Sequence, residues 1–494
     1  MDFVGREKEL QRLREKNWRN EAQLICIYGR RRVGKTSLVE KAFQDKLLWK
    51  FEGPEKLNKR FQIEFQTNLL GKYTKGEMLS ITPKKINRWE YFFDQLIMAI
   101  SDRSEKEMVV FFDEFQWMAE MKTELISVFK FYWDNHFRKN KNLKVVICGS
   151  ISSFIVKKII KSKALYGRIS SEINLQPLNL EKTKEYFSKR RTEEEILKIA
   201  MTVGGIPQYL KKFNPDLSYL QNLNENFFNP DGYFFKEFDR IFIIHYGQNP
   251  NYEKIIRCLS TGSKDANEII KQTGLSKGGT FTSLLEELSM ANFIEKYVPL
   301  DKNLSNSKIV RYKLIDEYLH FYFYFVLPNI SLIMKRGFRG FDAISHNYLS
   351  QWFGFAFERL CSKNANKIAD ILRFSGIQYT SGPWFKGNLP TKNSSNNSNT
   401  NSNTNSNTKS KSVSAQIDLL FIRKDKVITV CEIKYLQALS AAKIINEFER
   451  KIAVLKECFP EYGLQKVLIL ESKEKVSAQL EKYFAKIIFA KDLF

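Results

Sequence analysis

The stretch Leu24–Glu40, LICIYGRRRVGKTSLVE, constrains this chain more than any other. Leu24 to Tyr28 is an apolar run with the length and composition of a buried strand. The next residues, Gly29-Arg30-Arg31-Arg32-Val33-Gly34-Lys35-Thr36, fit G-x-x-x-x-G-K-[ST], and a helical pattern follows them. In such a strand–loop–helix the glycines let successive backbone N–H groups turn inward onto a phosphate chain at the positive end of a helix dipole. Lys35 would reach the β- and γ-phosphates and the Thr36 hydroxyl would hold Mg²⁺, so Gly29 through Ser37 form the candidate cradle for ATP and Mg²⁺.

About eighty residues on, Met108-Val109-Val110-Phe111-Phe112 runs into Asp113-Glu114. An apolar run ending in two carboxylates describes a buried parallel strand whose C-terminal end faces a ligand crevice. Asp113 is placed to hold Mg²⁺ and Glu114 to orient the attacking water. KVVICGS, Lys144 to Ser150, reads as a further buried strand, and Ser150 at its end either senses the γ-phosphate or simply makes the turn. From Asn135 to Ser171 there is no acidic residue but there are nine basic ones, which favours an anion-binding surface over an ordinary solvated face. Arg168, in Leu165-Tyr166-Gly167-Arg168, is a candidate arginine finger for charge on a transferring phosphate. Thr192 with Glu195 reads as a capping box, opening a helix that ends at Gly204-Gly205-Ile206-Pro207.

Residues 252–315 change pattern: helices over Tyr252–Leu259, Asp265–Gln272 and Ser276–Ser289, then two strands, Ile294–Val298 and Ile309–Leu314, around a polar tip. Three helices and a hairpin describe a winged helix-turn-helix, with Lys277, Thr280 and Lys308 as its DNA contacts, although such modules also serve as inert spacers. Asn393 to Ser412 repeats Asn-Ser-Asn-Thr and reads as a disordered insertion. Beyond it, Gln416–Phe421 and Val427–Lys434 flank a polar turn and predict a hairpin. A turn centred near Asp425 sets Asp418 opposite Glu432, with Cβ atoms ~5 Å apart, close enough to share a divalent ion. Lys434 shares that face and could activate a water, which is the arrangement of a metal-dependent phosphodiesterase site.

Composition adds direction. Lys+Arg 79 against Asp+Glu 55 leaves +24 over 494 residues, which favours a nucleic-acid partner over a membrane surface, while a merely basic protein from a Lys-rich genome is the plainer reading. The six cysteines have no paired spacing and read as buried thiols in a reducing compartment. The N-terminus lacks an apolar signal segment, and the aromatic run Tyr318–Leu327 is too short to span a bilayer, so a cytoplasmic protein with no membrane partner is expected.

Taken with FVGREKEL, GGIPQYL, YKLIDEYLHFYF, WFGFAFERLC and AQIDLLFIRKDKVITVCEIK, these motifs resemble P-loop ATPases of the STAND/AAA+ type, common in archaea and also found in bacteria, that carry a C-terminal restriction-endonuclease-like domain. The resemblance implies an α/β fold: a P-loop parallel-sheet ATPase core over 1–175, a helical lid over 176–250, and a winged helix with its connecting helix over 251–344. The α/β nuclease-like domain would occupy 345–494, with the insertion at 391–413. It also implies that Gly5-Arg6 and Pro207 lie near the adenine. By the same resemblance Glu358, Asp418, Glu432 and Lys434 match the PD-(D/E)xK pattern, with Ile417 where the motif's name has proline. The expected function is an ATPase acting on DNA and controlling a metal-dependent nuclease domain. A regulatory ATPase switch with an inactive nuclease-like domain is the alternative. A homo-oligomer is possible in either case, and no small-molecule substrate other than ATP is expected.

Overall fold

The computed structural model describes the chain apart from residues 1–2, 16–19, 56, 75–87, 104, 121, 123, 151–157, 161–164, 188–189, 247–248, 301–309, 337–345, 387–414 and 436–439. The chain divides into two compact units: residues 1–178 with 206–211 and 282–292, and residues 179–205 with 212–281 and 293–494. The short segment around Pro207 groups with the first unit.

In the first unit, β1 (Gln23–Gly29), β2 (Leu47–Glu52), β3 (Met108–Asp113), β4 (Leu143–Ser150) and β5 (Ser171–Leu175) form a parallel sheet in the order β2-β3-β4-β1-β5. Alternate residues enter two separate cores. Leu24, Cys26, Val110, Phe112, Val145 and Ile147 face one that contains Phe92, Phe93 and Phe129. Ile25, Ile27, Val109, Phe111, Val146 and Cys148 face the other, with Leu38 and Val39. A sheet covered on both faces needs unbroken apolar runs, which is why β1, β3 and β4 could be read directly. Edge strand β5, SEINL, buries only Ile173 and Leu175 and was not anticipated.

Residues 60–100 carry a mixed helical periodicity in sequence. They contain helices Lys59–Tyr73 and Trp89–Ser101. The first hides polar side chains among apolar ones: Gln62 donates to the Pro54 and Trp117 carbonyls (2.6 and 3.2 Å), and Gln66 to that of Glu52 (2.8 Å). Buried glutamines satisfied by loop carbonyls erase the apolar stripe that sequence reading relies on.

In the second unit, the helix Glu193–Val203 starts at Thr192 as anticipated, but the box is only half made. The Thr192 hydroxyl accepts from Glu195 N, while the Glu195 carboxylate instead accepts from Tyr219 N and pairs with Arg191. Helices Pro250–Ser260 and Ala266–Thr273 precede antiparallel β7 (Ile294–Tyr297) and β8 (Arg311–Leu314), and a short β6 (Lys264–Asp265) joins β8; the helix Gly279–Met290 between them in sequence falls mostly in the first unit. Lys277 and Thr280 are exposed; Lys308 lies outside the described residues. The aromatic run forms a helix, Glu317–Phe321, continued by a π-helical turn, Tyr322–Val326, with Tyr318, Phe321, Tyr322 and Phe325 buried. Among the described residues no helix is long and apolar enough to cross a membrane.

The C-terminal sheet contains β9 (Tyr379–Lys386), β10 (Ala415–Arg423), β11 (Val427–Lys434), β12 (Gly463–Leu470) and β13 (Lys486–Phe489), ordered β13-β12-β11-β10-β9. β9, β10 and β11 are antiparallel; β11, β12 and β13 are parallel. Helix His346–Lys363 packs on β10 and β11, and helix Ala441–Cys458 packs on β10. The Asn/Ser insertion, 391–413, lies outside the described residues. All six cysteines are free thiols; Cys258 and Cys458 are half-buried and the other four buried.

Candidate functional site

Gly29 ends β1, and a Cβ there would stand 2.5 Å from the Leu175 carbonyl oxygen of β5, so the neighbouring strand excludes any side chain. At Gly34 the space is open, but φ is +92°, a backbone conformation that favours glycine. Between them, Arg32 is also left-handed, at φ 71°. Lys35 opens the helix Lys35–Ala42, and its Nζ donates to the carbonyls of Gly29 (3.1 Å) and Arg30 (3.0 Å). The buried ammonium is thus held inside the loop. Thr36 Oγ1 donates to Asp113 Oδ2 at 2.7 Å, joining the P-loop helix to the end of β3. Lys50 Nζ lies 3.6 Å from the same oxygen, and Glu114 N donates to Asp113 Oδ1 at 3.0 Å. A hydroxyl and a carboxylate meeting beside an ammonium and a left-handed glycine loop is a donor set that fits Mg²⁺ and a phosphate chain.

Glu114, the first residue past β3, adopts φ 48°, uncommon for a residue with a side chain. Its carboxylate accepts from Gln116 Nε2 and lies 3.3 and 3.4 Å from Ser150 Oγ at the end of β4. Ser150 pairs in register with Gly29, so sheet topology brings Asp113, Glu114, Ser150 and the loop to one edge.

Two further segments touch the loop. Gly5 and Arg6 are both left-handed, and Arg6 Nη2 donates to the carbonyls of Val33 (3.3 Å) and Gln176 (2.6 Å). Burial lowers the Arg6 pKa, against the charge of Glu9. Pro207 opens the short helix Pro207–Leu210, where Gln208 N donates to the Arg32 carbonyl at 3.5 Å. The guanidinium carbons of Arg30 and Arg32 stand 5.8 and 5.9 Å from the Tyr209 ring centre, and that of Arg31 stands 6.0 Å from a Trp117 ring.

Arg168 lies away from the loop of its own chain. Ser170 N donates to the Leu24 carbonyl, at the start of β1 and beside the start of β5. The P-loop lies at the other end of β1, on the order of 20 Å away for a seven-residue strand. Arg168 instead makes a two-pronged pair with Asp134, Nε to Oδ1 at 2.6 Å and Nη2 to Oδ2 at 2.8 Å. It does not reach the loop of its own chain. Asp134 stands one residue before the acid-free block, so the block hid its partner. Other bases of that block are also engaged: Lys144 donates to the Leu13 and Glu15 carbonyls, and Arg138 pairs with Glu21. Lys139, Lys141 and Lys158 are exposed, while Lys157, Lys161 and Lys163 lie outside the described residues.

In the second unit, β10 and β11 pair Leu419 with Cys431 and Leu420 with Val430, a register that sets Asp418 opposite Glu432. The expected turn centre is therefore correct. Glu432 is 2% exposed, with Oε1 3.0 Å from Lys434 Nζ and Oε2 accepting from Lys451 Nζ at 2.8 Å. Gln416 Nε2 donates to Asp418 Oδ1 at 3.2 Å. Burial raises the Asp418 pKa, helped by Glu432 and opposed chiefly by Lys451. Glu358, on helix His346–Lys363, is pushed up to about 8, first by burial and then by the charge of Asp418, against Lys434. Glu358, Asp418, Glu432 and Lys434 are thus brought together. The carboxylate oxygens of Glu358, Asp418 and Glu432 suit Mg²⁺ or Mn²⁺. In this arrangement, however, both Glu432 oxygens are held by lysines, and among the described residues no three His, Cys, Asp or Glu converge to hold a metal.

Sequence reading missed Lys451. Ile444, Phe448 and Leu455 are buried on helix Ala441–Cys458, and position 451 falls on the same stripe. A lysine at an apolar helical position is the signal that could have found it.

Residues 3–213 match the family model described as an ATPase domain predominantly from Archaea. The chain is similar to an uncharacterized protein of Methanocaldococcus jannaschii, 29% identical over 366 residues, which cover 73% of this chain and 76% of that protein. An uncharacterized ATP-binding protein of the same organism is 52% identical over 44 residues, 9% of this chain and 75% of that one. Among solved structures, the Walker-type ATPase of Pyrococcus abyssi aligns with a TM-score of 0.47 and 21% identity over 65% of this chain and 96% of that chain. Residues 3–213 are thus similar to a P-loop ATPase domain of this predominantly archaeal family.

Proposed function

We propose that this chain hydrolyses ATP at the P-loop and that its nucleotide state controls a PD-(D/E)xK-type, metal-dependent nuclease domain acting on DNA. For the ATPase, the loop N–H groups and Lys35 bind the phosphates, Thr36 and Asp113 hold Mg²⁺, and Glu114 orients the attacking water with Ser150 and Gln116 fixing its carboxylate. The bound cation supplies neutralising charge to the phosphate oxygens. Gly5, Arg6 and Pro207, on the two segments that contact the loop through Arg6 and Gln208, flank the nucleoside. For the nuclease, the carrying observation is that the strand register sets Asp418 opposite Glu432, with Lys434 3.0 Å from the Glu432 carboxylate. These two carboxylates hold the divalent ion, Lys434 acts on the water and Glu358 completes the acidic wall. The charge of +24 favours DNA, with Lys277, Thr280 and Lys308 of a winged helix as contacts beside a helical lid. A cytoplasmic protein able to self-associate is consistent with this reading.

A second reading, a regulatory switch whose nuclease-like domain only binds, is favoured by the engagement of both Glu432 oxygens by lysines. The full chain incubated with supercoiled plasmid, Mg²⁺ and ATP separates the two. Nicking by the unaltered protein that disappears in Asp418→Ala and Lys434→Ala supports the nuclease. Asp418-dependent stabilisation by metal without cleavage supports the switch, and cleavage surviving both substitutions refutes the assignment.

A further inference from the structure

We infer that Lys451 is a built-in counter-ion for the Asp418–Glu432 pair, which a divalent metal must displace from Glu432 in order to bind. The inference rests on the metal-site reading above and adds to it a lysine that competes for the site.

A carboxylate as enclosed as Glu432 needs cationic partners, because its desolvation is otherwise uncompensated. It has two, one on each oxygen, and they differ in origin. Lys434 is two residues along the same strand, so its ammonium is tied to the strand face. Lys451 comes from a helix, on a four-carbon stem that leaves the apolar stripe between Phe448 and Leu455. Its ammonium is 2.8 Å from Glu432 Oε2 and is the strongest cationic influence on Asp418. It therefore occupies an oxygen that an ion shared by the two carboxylates would need.

A metal bound to carboxylate oxygen sits ~2.0–2.6 Å from it, so it and the ammonium cannot share Oε2 without close cation–cation repulsion. One of them must leave. The Lys451 side chain is 22% exposed, which gives the ammonium a way out to water that does not disturb the helix. Until then the lysine keeps two facing carboxylates together and the hairpin closed.

The test is a Mn²⁺ titration of the full chain, stripped with EDTA and free of nucleotide, followed by calorimetry and by melting temperature. The signal that Asp418→Ala removes reports this site and not the P-loop. Lys451→Met, which keeps the stem and removes the charge, should lower the half-saturating Mn²⁺ concentration roughly tenfold, the equivalent of ~1.4 kcal/mol for losing a charge-assisted competitor. It should also melt lower than the unaltered protein without metal and recover with it. Lys451→Arg, which keeps a cation, should bind Mn²⁺ no more tightly than the unaltered chain. If Lys451→Met fails to fold, Lys451→Gln, which retains a donor for Glu432, takes its place. An unchanged or raised half-saturation in the neutral variants, alongside Asp418-dependent binding in the unaltered chain, overturns the inference and leaves the metal site standing. Absence of Asp418-dependent binding in every form overturns both.

Discussion

Removing the carboxyl of Glu358 should change how the C-terminal domain responds to pH. Ordinarily this group loses its proton near 4.5; in the fold it is pushed up to about 8, first by burial and then by Asp418. Between those two values the folded chain keeps a proton that the unfolded chain has lost. Stability therefore falls as pH rises through that window: it is highest below 4.5, and the loss is complete above about 8. At ~1.36 kcal/mol for each pH unit, the full loss is about 5 kcal/mol. The side chain is not wholly sealed from water, which brings the expected figure to roughly 2–4 kcal/mol. Glu358→Gln cannot titrate, so its stability should fall less between pH 5 and pH 8, by that amount. Urea unfolding in EDTA, followed by tryptophan fluorescence, measures this, since Trp352 and Trp384 are buried in this unit. Comparing the two proteins at each pH cancels the titrations of groups that do not interact with Glu358. Parallel stability curves would refute the reasoning, because they would mean that Glu358 is ionised in the fold as it is in water.

Other expectations concern the first unit and the surface. Gly29→Ala places a methyl group 2.5 Å from the Leu175 carbonyl, so β5 must shift; a loss of ~1–3 kcal/mol and weaker ATP binding should follow, and an unchanged urea midpoint would contradict the close approach. Arg168→Ala should cost only ~0.5–1 kcal/mol, since its pair with Asp134 is partly exposed, and should leave turnover intact in dilute, monomeric protein. DNA affinity should fall steeply with salt, with a log–log slope of about −0.9 per neutralised phosphate, measured on duplex by fluorescence anisotropy; a flat dependence would argue against nucleic acid as the partner.

The P-loop core was legible because its strands are buried on both faces and its chemistry is packed into consecutive residues. Gly29 to Thr36 and Asp113-Glu114 needed only the strand ends to be placed. The hairpin register was legible for a similar reason: two apolar runs around a short polar turn allow few pairings, and Asp425 as centre sets Asp418 against Glu432. What was not legible depends on partners distant in sequence. Arg168 looked free because Asp134 lies just outside the acid-free block, and its position at the far end of β1 follows from the start of β5 pairing with β1. The helix Lys59–Tyr73 had no clear apolar period because Gln62 and Gln66 are buried against loop carbonyls. Lys451 reaches Glu432 from a helix 19 residues further on, and no local spacing connects the two.

The central claim is that the junction of the P-loop with β3 hydrolyses ATP. Its most direct test measures phosphate release and ATP binding side by side for the unaltered chain, Lys35→Ala and Glu114→Gln, with Mg²⁺. Lys35 is the buried ammonium of the loop, and Glu114 is the carboxylate held by Gln116 and Ser150. The account predicts turnover in the unaltered chain, loss of turnover with weakened binding in Lys35→Ala, and retained binding with turnover slowed on the order of a hundredfold in Glu114→Gln. Turnover at the unaltered rate in either variant would contradict it.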